Sequence, residues 1–569
     1  MNARKLIPWV LIGVGLLAYS NSFHNGFIYD DLPYIVDNPR FHRLWPPGPI
    51  VSHTSRPVVL LSLALNYAVG GLNPWGYHLF NVAVHILAAL TLYGVARRTL
   101  VSESLQSRFG EAAPWLAMVI SLAWLVHPLQ TESVTYTIQR GESLMGLFYL
   151  LSLYSVIRSV GPSRNGWWRV GAVASCALGM ACKPVMVTAP VVLLLYDRAF
   201  LAKSWRETLR QRWPLYACLA ATWLLLPLLL ANGASEWKPS AGFGYEKISW
   251  PSYLFTQPGA ILHYLRLALW PAPLCFDYGW EYGWPAARTL GEALPTSIAV
   301  AALLAGTAWA WRQKPAIGFL GAWFFIILAP TSSFVPLADL VVEHRMYLPL
   351  AAVVAAVVVG GFELGGNLLS GQPQTRGILG GAACLALALP LTLLTIRRNR
   401  DYLSGFTIWQ DTVSKRPTNP RAHNALGLIL VQAGQTAEGI NQYEQAVRIK
   451  PDYGQAHNNL AVALFEMDKV DDAIRHFERA LAIKPDDAEA HDNFAIALFE
   501  LGRVKEATAH FEQAVRIKPD LAAAHFNLGV AFEQTGRRAD AIEQFERALQ
   551  LKPDYAEARS RLARLRAAP

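Results

Sequence analysis

Charged side chains are scarce in this chain, and cysteines are scarcer still. Only 16% of its 569 residues are Asp, Glu, Lys or Arg, whereas 53% are hydrophobic. The five cysteines lie mostly inside apolar stretches without regular spacing, so neither a disulfide framework nor a zinc framework is predicted. Much of the net charge of +9 lies in short clusters beside apolar runs, which indicates membrane topology and no nucleic-acid partner.

The C-terminal part is repetitive. Prolines recur every 34 residues, at Pro417, Pro451, Pro485, Pro519 and Pro553. Small and aromatic residues keep the same spacing, which is typical of stacked helix–turn–helix units, the tetratricopeptide repeats. The sequence therefore predicts a solenoid of four repeats and a basic cap helix over 417–569, preceded by a linker at 401–416.

Histidines share this period, at His423, His457, His491 and His525. A column of metal ligands is one interpretation. Successive repeats lie roughly 10 Å apart, however, which is too far for two histidines to share one metal ion. We therefore interpret them as helix positions that support hydrogen bonds between repeats.

Residues 1–400 are predicted to form a polytopic helical membrane domain, which makes the whole chain all-α. About eleven apolar runs have nearly the length that a bilayer requires. They are 6–19, 79–96, 113–127, 143–160, 167–182, 184–197, 214–232, 293–311, 316–333, 346–363 and 377–396. The stretch 256–270 is interpreted as an interfacial or re-entrant helix, because a further span there would place basic loops outside. With eleven spans the repeats lie on the non-cytoplasmic side.

Ionisable residues cluster in the predicted outer loops. Asp30 and Asp31 follow the first span directly, and further loops carry Glu132, Arg140 and the Glu343–Arg345 stretch. A carboxylate pair can deprotonate a hydroxyl or hold a divalent cation, and arginines can hold a phosphate through paired hydrogen bonds. Together they predict transfer of a sugar from a phosphate-linked lipid through an oxocarbenium-like transition state.

The order of motifs is specific: FIYDDLPYIVDNP, SRPVVLLSLALNY, GYHLFNVAVH, HPLQTESVTYTIQRGESLMGLF, CKPVMVTAPVVLLLYD, LRLALWPAPLCFDYGW and HRMYLP. In these stretches the chain resembles the membrane protein O-mannosyltransferases that join a GT-C type domain to C-terminal tetratricopeptide repeats. The resemblance implies an inverting transferase that uses a polyprenyl-phosphate sugar on the non-cytoplasmic side. The family's acidic pair maps onto Asp30–Asp31. Its HP-x-x-TE-x-V pattern maps onto His127 to Val134, with Gln130 where His is frequent.

These considerations assign candidate roles. The predicted catalytic residues are Asp30, Asp31 and Glu132. The predicted donor phosphate-binding residues are Arg140, Lys183, His344 and Arg345. The predicted acceptor or sugar contacts are Arg56, His78 and Asn81. No metal ligands are identified, and the only cofactor considered is a divalent cation. Expected partners are the lipid donor, membrane lipids and a protein acceptor recruited by the repeats, in the inner or plasma membrane of a bacterium or the endoplasmic reticulum of a eukaryote.

Structural alternatives remain open for these residues. The aspartates also suit a loop turn, Glu132 could orient Arg140, and His78 could pack within the bundle with His85. Lys183, His344 and Arg345 also suit interfacial anchors. The loop aromatics suit a membrane-interface belt or, less readily, sugar stacking; they are Trp237, Tyr245, Trp250, Phe276, Tyr278, Trp280, Tyr282 and Trp284.

Three other functions remain open. A lipid-linked oligosaccharide ligase is the nearest enzymatic alternative. A flippase of lipid-linked sugar would need broken helices at the midplane and no outer carboxylate pair. A non-catalytic scaffold for envelope assembly would use the repeats alone.

Overall fold

A computed structural model describes residues 3–160, 166–233, 248–279, 289–368 and 373–567. The regular elements among these residues are all helical, which confirms the all-α prediction. The chain divides into two compact units, Met1–Asp411 and Thr412–Pro569. The first unit contains the apolar helices and the second contains the repeats.

Seven helices in the described part of the first unit are long and apolar enough to cross a membrane. They are Pro74–Leu100, Thr137–Val160, Pro184–Leu201, Trp205–Asn232, Leu290–Gln313, Pro349–Gly366 and Leu379–Asp401. A bent pair, Ala113–Leu125 and Pro128–Thr135, passes the same criterion together and turns by 54°. Three shorter apolar helices are Ile7–Ala18, Pro57–Gly70 and Pro315–Leu328. The total of eleven spans stays a prediction.

Two further helices bear on the predicted topology. Gly166–Met180 occupies the predicted span at 167–182. Trp250–Leu269 is one helix of 20 residues with Pro258 inside it, and it includes most of the stretch interpreted as interfacial or re-entrant. It buries Tyr253 and Tyr264, so one face of this helix belongs to the protein core.

Asn399, on the last candidate span, connects that helix to the end of the first apolar helix. Its side-chain amide donates to the Ala18 carbonyl at 2.9 Å and to Asn21 Oδ1 at 3.1 Å. Its Oδ1 accepts from the Thr135 hydroxyl at 2.7 Å. A buried amide that satisfies three partners fixes their relative positions, because any shift leaves a polar group unpaired.

The predicted linker at 401–416 is largely helical. Gly405–Lys415 forms a helix, and Ile408 and Trp409 on it are 0% and 2% exposed. Arg398 on the preceding helix donates to Asp401 and to Asp411, each at 2.9 Å. This segment is therefore packed against the membrane unit at least as far as Asp411.

The second unit consists of helix pairs. They are Pro420–Gln432 with Thr436–Ile449, Gly454–Glu466 with Val470–Ile483, Ala488–Glu500 with Val504–Ile517, and Ala522–Gln534 with Arg538–Leu551. A final helix, Ala556–Ala567, follows them. The recurrent Ala and Phe positions form the core, as in Ala473, Phe477 and Ala480. The described residues of this unit therefore contain four helix pairs and one further helix, as expected of a tetratricopeptide-repeat solenoid.

The recurrent histidines bond within each repeat, which corrects the prediction of bonds between repeats. In the second repeat His457 Nε2 lies 3.2 Å from the Pro451 carbonyl, and its Nδ1 lies 2.8 Å from His476 Nδ1. The neighbouring asparagines make the bonds between repeats instead, as Asn459 donates to Asn424 Oδ1 at 3.0 Å. The histidine side chain faces its own second helix, so it cannot reach the next repeat.

Candidate active site

Residues 130–142 form a short segment that links several of the predicted site residues, and we call it the connecting segment. It follows the helix Ala113–Leu125, which ends because Pro128 lacks the N–H that a continuing helix would need. His127 accepts a hydrogen bond from the Leu129 amide at 3.2 Å and so caps the new turn. The chain then turns, and successive side chains and amides of this segment contact different parts of the site.

Asp31 is held by backbone amides on both of its carboxylate oxygens. The Ile28 amide donates to Oδ2 at 3.1 Å, and the Ile138 amide of the connecting segment donates to Oδ1 at 2.8 Å. The residue is 1% exposed. Burial raises the pKa of the Asp31 carboxyl to about 7, although the two amides act in the opposite direction. Asp31 therefore shapes the loop from inside and does not face solvent.

Asp30 lies one residue earlier and is only half-buried. Its backbone amide donates to the Tyr136 hydroxyl of the connecting segment at 3.0 Å. The preceding residue, Tyr29, has a φ of 45°, a conformation that non-glycine residues seldom adopt. Residues 28–31, which we call the acid loop, thus turn sharply, with Asp31 directed inward.

Glu132 pairs with His344, not with Arg140 as one sequence interpretation held. The His344 backbone amide donates to Oε2 at 2.9 Å, and its ring Nδ1 lies 2.7 Å from Oε1. Burial lowers the pKa of the His344 imidazole well below its usual value. A neutral ring with its proton on Nδ1 satisfies this contact, so the pair joins the connecting segment to the 343–346 turn.

Glu142, at the end of the connecting segment, forms an ion pair with Lys183. Burial lowers the pKa of the Lys183 ammonium; Glu142 opposes this shift, and the positive charges of Arg56 and Arg345 add to it. Lys183 is thus within electrostatic range of Arg56, Arg345 and His344, and we call these four residues the basic cluster.

Backbone contacts hold the loop that carries Arg56. The Val58 amide donates to the Ala181 carbonyl at 3.3 Å, two residues before Lys183. Asn232 accepts from the His53 amide at 3.1 Å and donates to the Val51 and Thr54 carbonyls at 3.0 and 2.9 Å. Arg56 was predicted as an acceptor or sugar contact, and the structure brings its loop next to the segment that carries Lys183.

Arg345 is anchored by its own loop. Its guanidinium donates to the Leu340 carbonyl at 2.9 Å and to the Asp339 carbonyl at 2.6 Å. The Tyr253 hydroxyl lies 3.5 Å from the same group. These bonds leave part of a five-donor fork for other acceptors, and they fix the direction of the fork.

Three predicted site residues lie inside the helix bundle instead. Arg140 is 0% exposed and donates to Asn66 Oδ1 at 2.6 Å and to the Tyr77 carbonyl at 3.2 Å, so its charge is used in packing. His78 Nε2 lies 3.1 Å from the Asn25 carbonyl, and Asn81 donates to the Val134 carbonyl at 3.1 Å. All three side chains are buried, and each already contacts another part of the bundle.

Glu343 belongs to a buried network that sequence reasoning did not identify. Its Oε1 accepts from the Cys275 amide at 2.6 Å and from the Tyr278 hydroxyl at 2.8 Å, and Arg398 lies 3.8 Å from Oε2. Burial raises the pKa of the Glu343 carboxyl to about 7. Arg398 stands in the basic stretch RRNRD and Tyr278 in the aromatic loop, but neither pattern indicates that the two residues meet Glu343.

Two further predictions concern a bound metal ion and the loop aromatics. Across the described ranges, no group of three or more His, Cys, Asp or Glu residues is arranged to hold a metal ion. Of the predicted aromatics, Phe276 and Tyr278 are buried and Trp250 is 52% exposed. The remaining five lie outside the described residues; they are Trp237, Tyr245, Trp280, Tyr282 and Trp284.

Comparison with protein families gives independent matches in both units. Residues 52–230 match the family described as dolichyl-phosphate-mannose-protein mannosyltransferase. This range includes the connecting segment, Arg56 and Lys183, but neither the acid loop nor Arg345. Tetratricopeptide repeat families match residues 427–468, 452–520 and 493–556.

Curated relatives are protein O-mannosyl-transferases. Tmtc3 of Drosophila melanogaster is 26% identical over 523 residues, which cover 78% of this chain and 55% of that protein. TMTC4 of Mus musculus is 26% identical over 497 residues, 76% of this chain and 66% of that protein. The chain thus spans just over half of the Drosophila relative's length.

Among solved structures, the pilF protein of Pseudomonas aeruginosa is 28% identical, with a TM-score of 0.25, over 26% of this chain and 67% of that one. The family matches and the curated relatives therefore combine a mannosyltransferase segment with C-terminal repeats, and they confirm the resemblance of this chain to the membrane protein O-mannosyltransferases that carry tetratricopeptide repeats.

Proposed function

We propose that this protein is a membrane mannosyltransferase that moves mannose from a polyprenyl-phosphate donor to hydroxyl groups of proteins on the non-cytoplasmic face. One observation carries the proposal. The connecting segment, which lies within the family match, contacts the acid loop through Tyr136 and Ile138 and the basic cluster through Glu132 and Glu142.

Asp30 is the proposed general base. Asp31 is buried and both of its oxygens already accept backbone amides, so it is poorly placed to receive a proton from a bound acceptor. Asp30 is half-buried and its backbone is fixed by Tyr136. The Asp30 carboxylate takes the acceptor hydroxyl proton as the oxygen attacks the anomeric carbon, and this attack on the face opposite the phosphate inverts the configuration.

The basic cluster is proposed to hold the leaving group. As the bond from the anomeric carbon to the phosphate oxygen breaks, that oxygen keeps the electron pair. Arg345, Lys183 and Arg56 can stabilise the negative charge, and an arginine does so with a planar pair of donors. The Glu132–His344 pair holds the turn next to Arg345, so we assign Glu132 a positioning role instead of a direct chemical one.

Two features of the proposal concern partners. The repeats recruit the protein acceptor, because stacked helix pairs form extended surfaces suited to polypeptides. A divalent cation beside Asp30 and the donor phosphate stays a prediction, tested by comparing turnover in a chelator with turnover after Mg²⁺ or Mn²⁺ is restored.

The decisive experiment supplies purified full-length protein with radiolabelled polyprenyl-phosphate mannose and candidate acceptor proteins. We expect alkali-labile label on serine or threonine in the presence of the intact protein and at least about 100-fold slower labelling with Asp30→Asn. Labelled acceptor formed equally well by the variant would contradict the assignment of the base. Donor movement across vesicles without any labelled protein would favour a flippase, and oligosaccharide products would favour a ligase.

A further inference from the structure

Two aromatic rings pack against Tyr29, the residue of the acid loop that precedes the proposed base. The Tyr29 ring meets the Trp409 ring edge-on at 5.1 Å between centroids and the Phe276 ring at 6.0 Å. Tyr29 is also the residue with positive φ. Because a non-glycine residue leaves this conformation unless contacts oppose the change, these ring contacts help to keep the loop turned.

The Phe276 ring contacts both Tyr136 and Trp409, the two residues that support the acid loop at Asp30 and Tyr29. Its ring lies 5.3 Å from that of Tyr136, whose hydroxyl accepts the Asp30 amide, and 5.3 Å from that of Trp409. Edge-to-face contacts of this kind have defined geometry, so they transmit position as well as burying area. The backbone at Tyr29 and at the Asp30 amide is therefore supported by one aromatic cluster, consisting of Tyr29, Tyr136, Phe276 and Trp409.

Trp409 reaches this cluster from beyond the last candidate span, which ends at Asp401. Its helix is fixed by the ion pair between Arg398 and Asp411. Nearby, the Gly26 amide donates to the Leu403 carbonyl at 3.1 Å, and the Asn25 side chain donates to the Asn399 carbonyl at 3.0 Å. Residues 399–411 thus pack along the chain that leads into the acid loop.

We infer that Trp409 and Phe276 are positioning residues for Asp30, so that the catalytic unit extends to residue 411 instead of ending with the last span. The inference rests on the proposed transferase function. Among the described residues, the ring contacts of Phe276 and Trp409 do not include Arg56, Lys183, His344 or Arg345. Removing either ring should therefore misplace the base while leaving donor binding intact, and a displacement of about 1 Å can cost on the order of 100-fold in rate.

The test compares Trp409→Leu, Trp409→Phe and Phe319→Leu in the full-length protein, with a short peptide acceptor. Phe319 is a matched control, because it is 6% exposed and packs on Tyr196, Phe200 and Trp323, away from the acid loop. We expect Trp409→Leu to lower kcat about 10- to 100-fold with an unchanged KM for the donor. Trp409→Phe should recover most of the loss, and Phe319→Leu should resemble the wild type.

Hydrogen exchange provides a second measurement that does not require activity. The amides of residues 26–32 should exchange faster in Trp409→Leu than in the wild type, and Phe319→Leu should leave them unchanged. A wild-type kcat in Trp409→Leu, or unchanged exchange in this loop, would overturn the inference. If the wild type transfers no sugar, the proposed function fails, whereas the exchange result still tests the support of the loop by Trp409.

Discussion

Asp30 and Asp31 are neighbours in sequence with opposite surroundings. The buried Asp31 carboxylate accepts hydrogen bonds from two backbone amides, whereas Asp30 is partly exposed to solvent. A general base must reach the proton that it removes, whereas a buried carboxylate with both oxygens occupied can only hold its surroundings. The two residues should therefore fail in different ways when the charge is removed.

Asp30→Asn should lower kcat by about 10²–10⁴-fold, since an amide keeps the shape but cannot accept the proton. Stability and the KM for the donor should stay near the wild-type values. Asp37→Asn is the matched control, because Asp37 is an exposed carboxylate in the same stretch. Steady-state kinetics with a peptide acceptor decide the matter, and full activity of Asp30→Asn would remove it from the mechanism.

Asp31→Asn should act mainly on stability. An asparagine has one acceptor oxygen, so either the Ile28 or the Ile138 amide would face an NH₂ group. A buried donor left without a partner costs about 1–3 kcal/mol. Thermal unfolding in detergent, again beside Asp37→Asn, should register this loss. A variant as stable as the wild type would mean that the two amide contacts contribute little.

At the scale of the element, the charged residues of the connecting segment have different roles, and the sequence pattern does not distinguish these roles. These residues look alike in the sequence, yet Glu132 and Glu142 reach the basic cluster while Arg140 turns into the bundle. Which way each residue faces depends on the bend after Leu125 and on partners that are distant in sequence.

This difference makes Arg140 and Arg345 an informative pair. Arg345→Ala should raise the KM for the lipid donor about tenfold, which corresponds to one charge-assisted contact of about 1.4 kcal/mol, and Arg345→Lys should recover only part of it. Arg140→Ala should instead lower the unfolding temperature without a change in this KM. An Arg140→Ala protein of normal stability with a raised KM would restore the sequence-based assignment.

Within the repeats, the His457–His476 contact predicts a pH response. Burial lowers the pKa of both rings; nearby Arg479 and Arg475 act in the same direction, and Asp472 opposes them. The unfolded state therefore binds more protons, so stability falls as pH drops below about 6.5 and is retained above it. A doubly protonated pair would also place two donors face to face.

Hydrogen exchange of residues 454–483 in the full-length protein, corrected for intrinsic rates, should show less protection at pH 5.5 than at pH 7.5. His476→Gln is the matched variant, since Gln442 and Gln544 occupy the equivalent positions opposite His423 and His525. It should reduce the pH response, and an unaltered response would assign it to other groups.

Periodicity and apolar length made most elements predictable. A repeat of 34 residues and apolar runs of near-bilayer length are local signals, so the helix pairs and the predicted spans fall on helices of the structure. The connections of the site were not predictable in the same way. Glu132–His344 spans 212 residues, and the support of Tyr29 by Trp409 depends on a helix that the sequence suggested was a linker.

At the scale of the whole molecule, the proposed division of tasks can be tested by truncation. Deleting residues 417–569 should spare transfer to a short peptide, because the acid loop, the basic cluster and Trp409 all remain. The same deletion should slow transfer to a protein acceptor that the repeats recruit. Deleting residues 405–569 should lower the rates of both reactions by at least the 10- to 100-fold expected of Trp409→Leu, since Trp409 is lost with its whole helix. Equal rates on protein acceptors with and without the repeats would contradict recruitment.

The side of the membrane on which the repeats lie needs a separate measurement. An Asn459→Cys protein should react with a membrane-impermeant thiol reagent from the non-cytoplasmic side only. Cys218 is exposed and must first be replaced, and the remaining cysteines serve as the background. Labelling from the cytoplasm would separate the repeats from the proposed active site.

The hydrogen bond from the Asn399 side chain to the Ala18 carbonyl joins residues that are 381 positions apart. A ribosome that adds about 5–20 residues per second needs on the order of 20–80 s to make that stretch. During this interval the N-terminal helix is already synthesised while its partner does not yet exist. The contacts of Asn25, Gly26 and Tyr29 with residues 399–409 can therefore form only late in biosynthesis, so the acid loop acquires its full support after almost all of the membrane unit has been made.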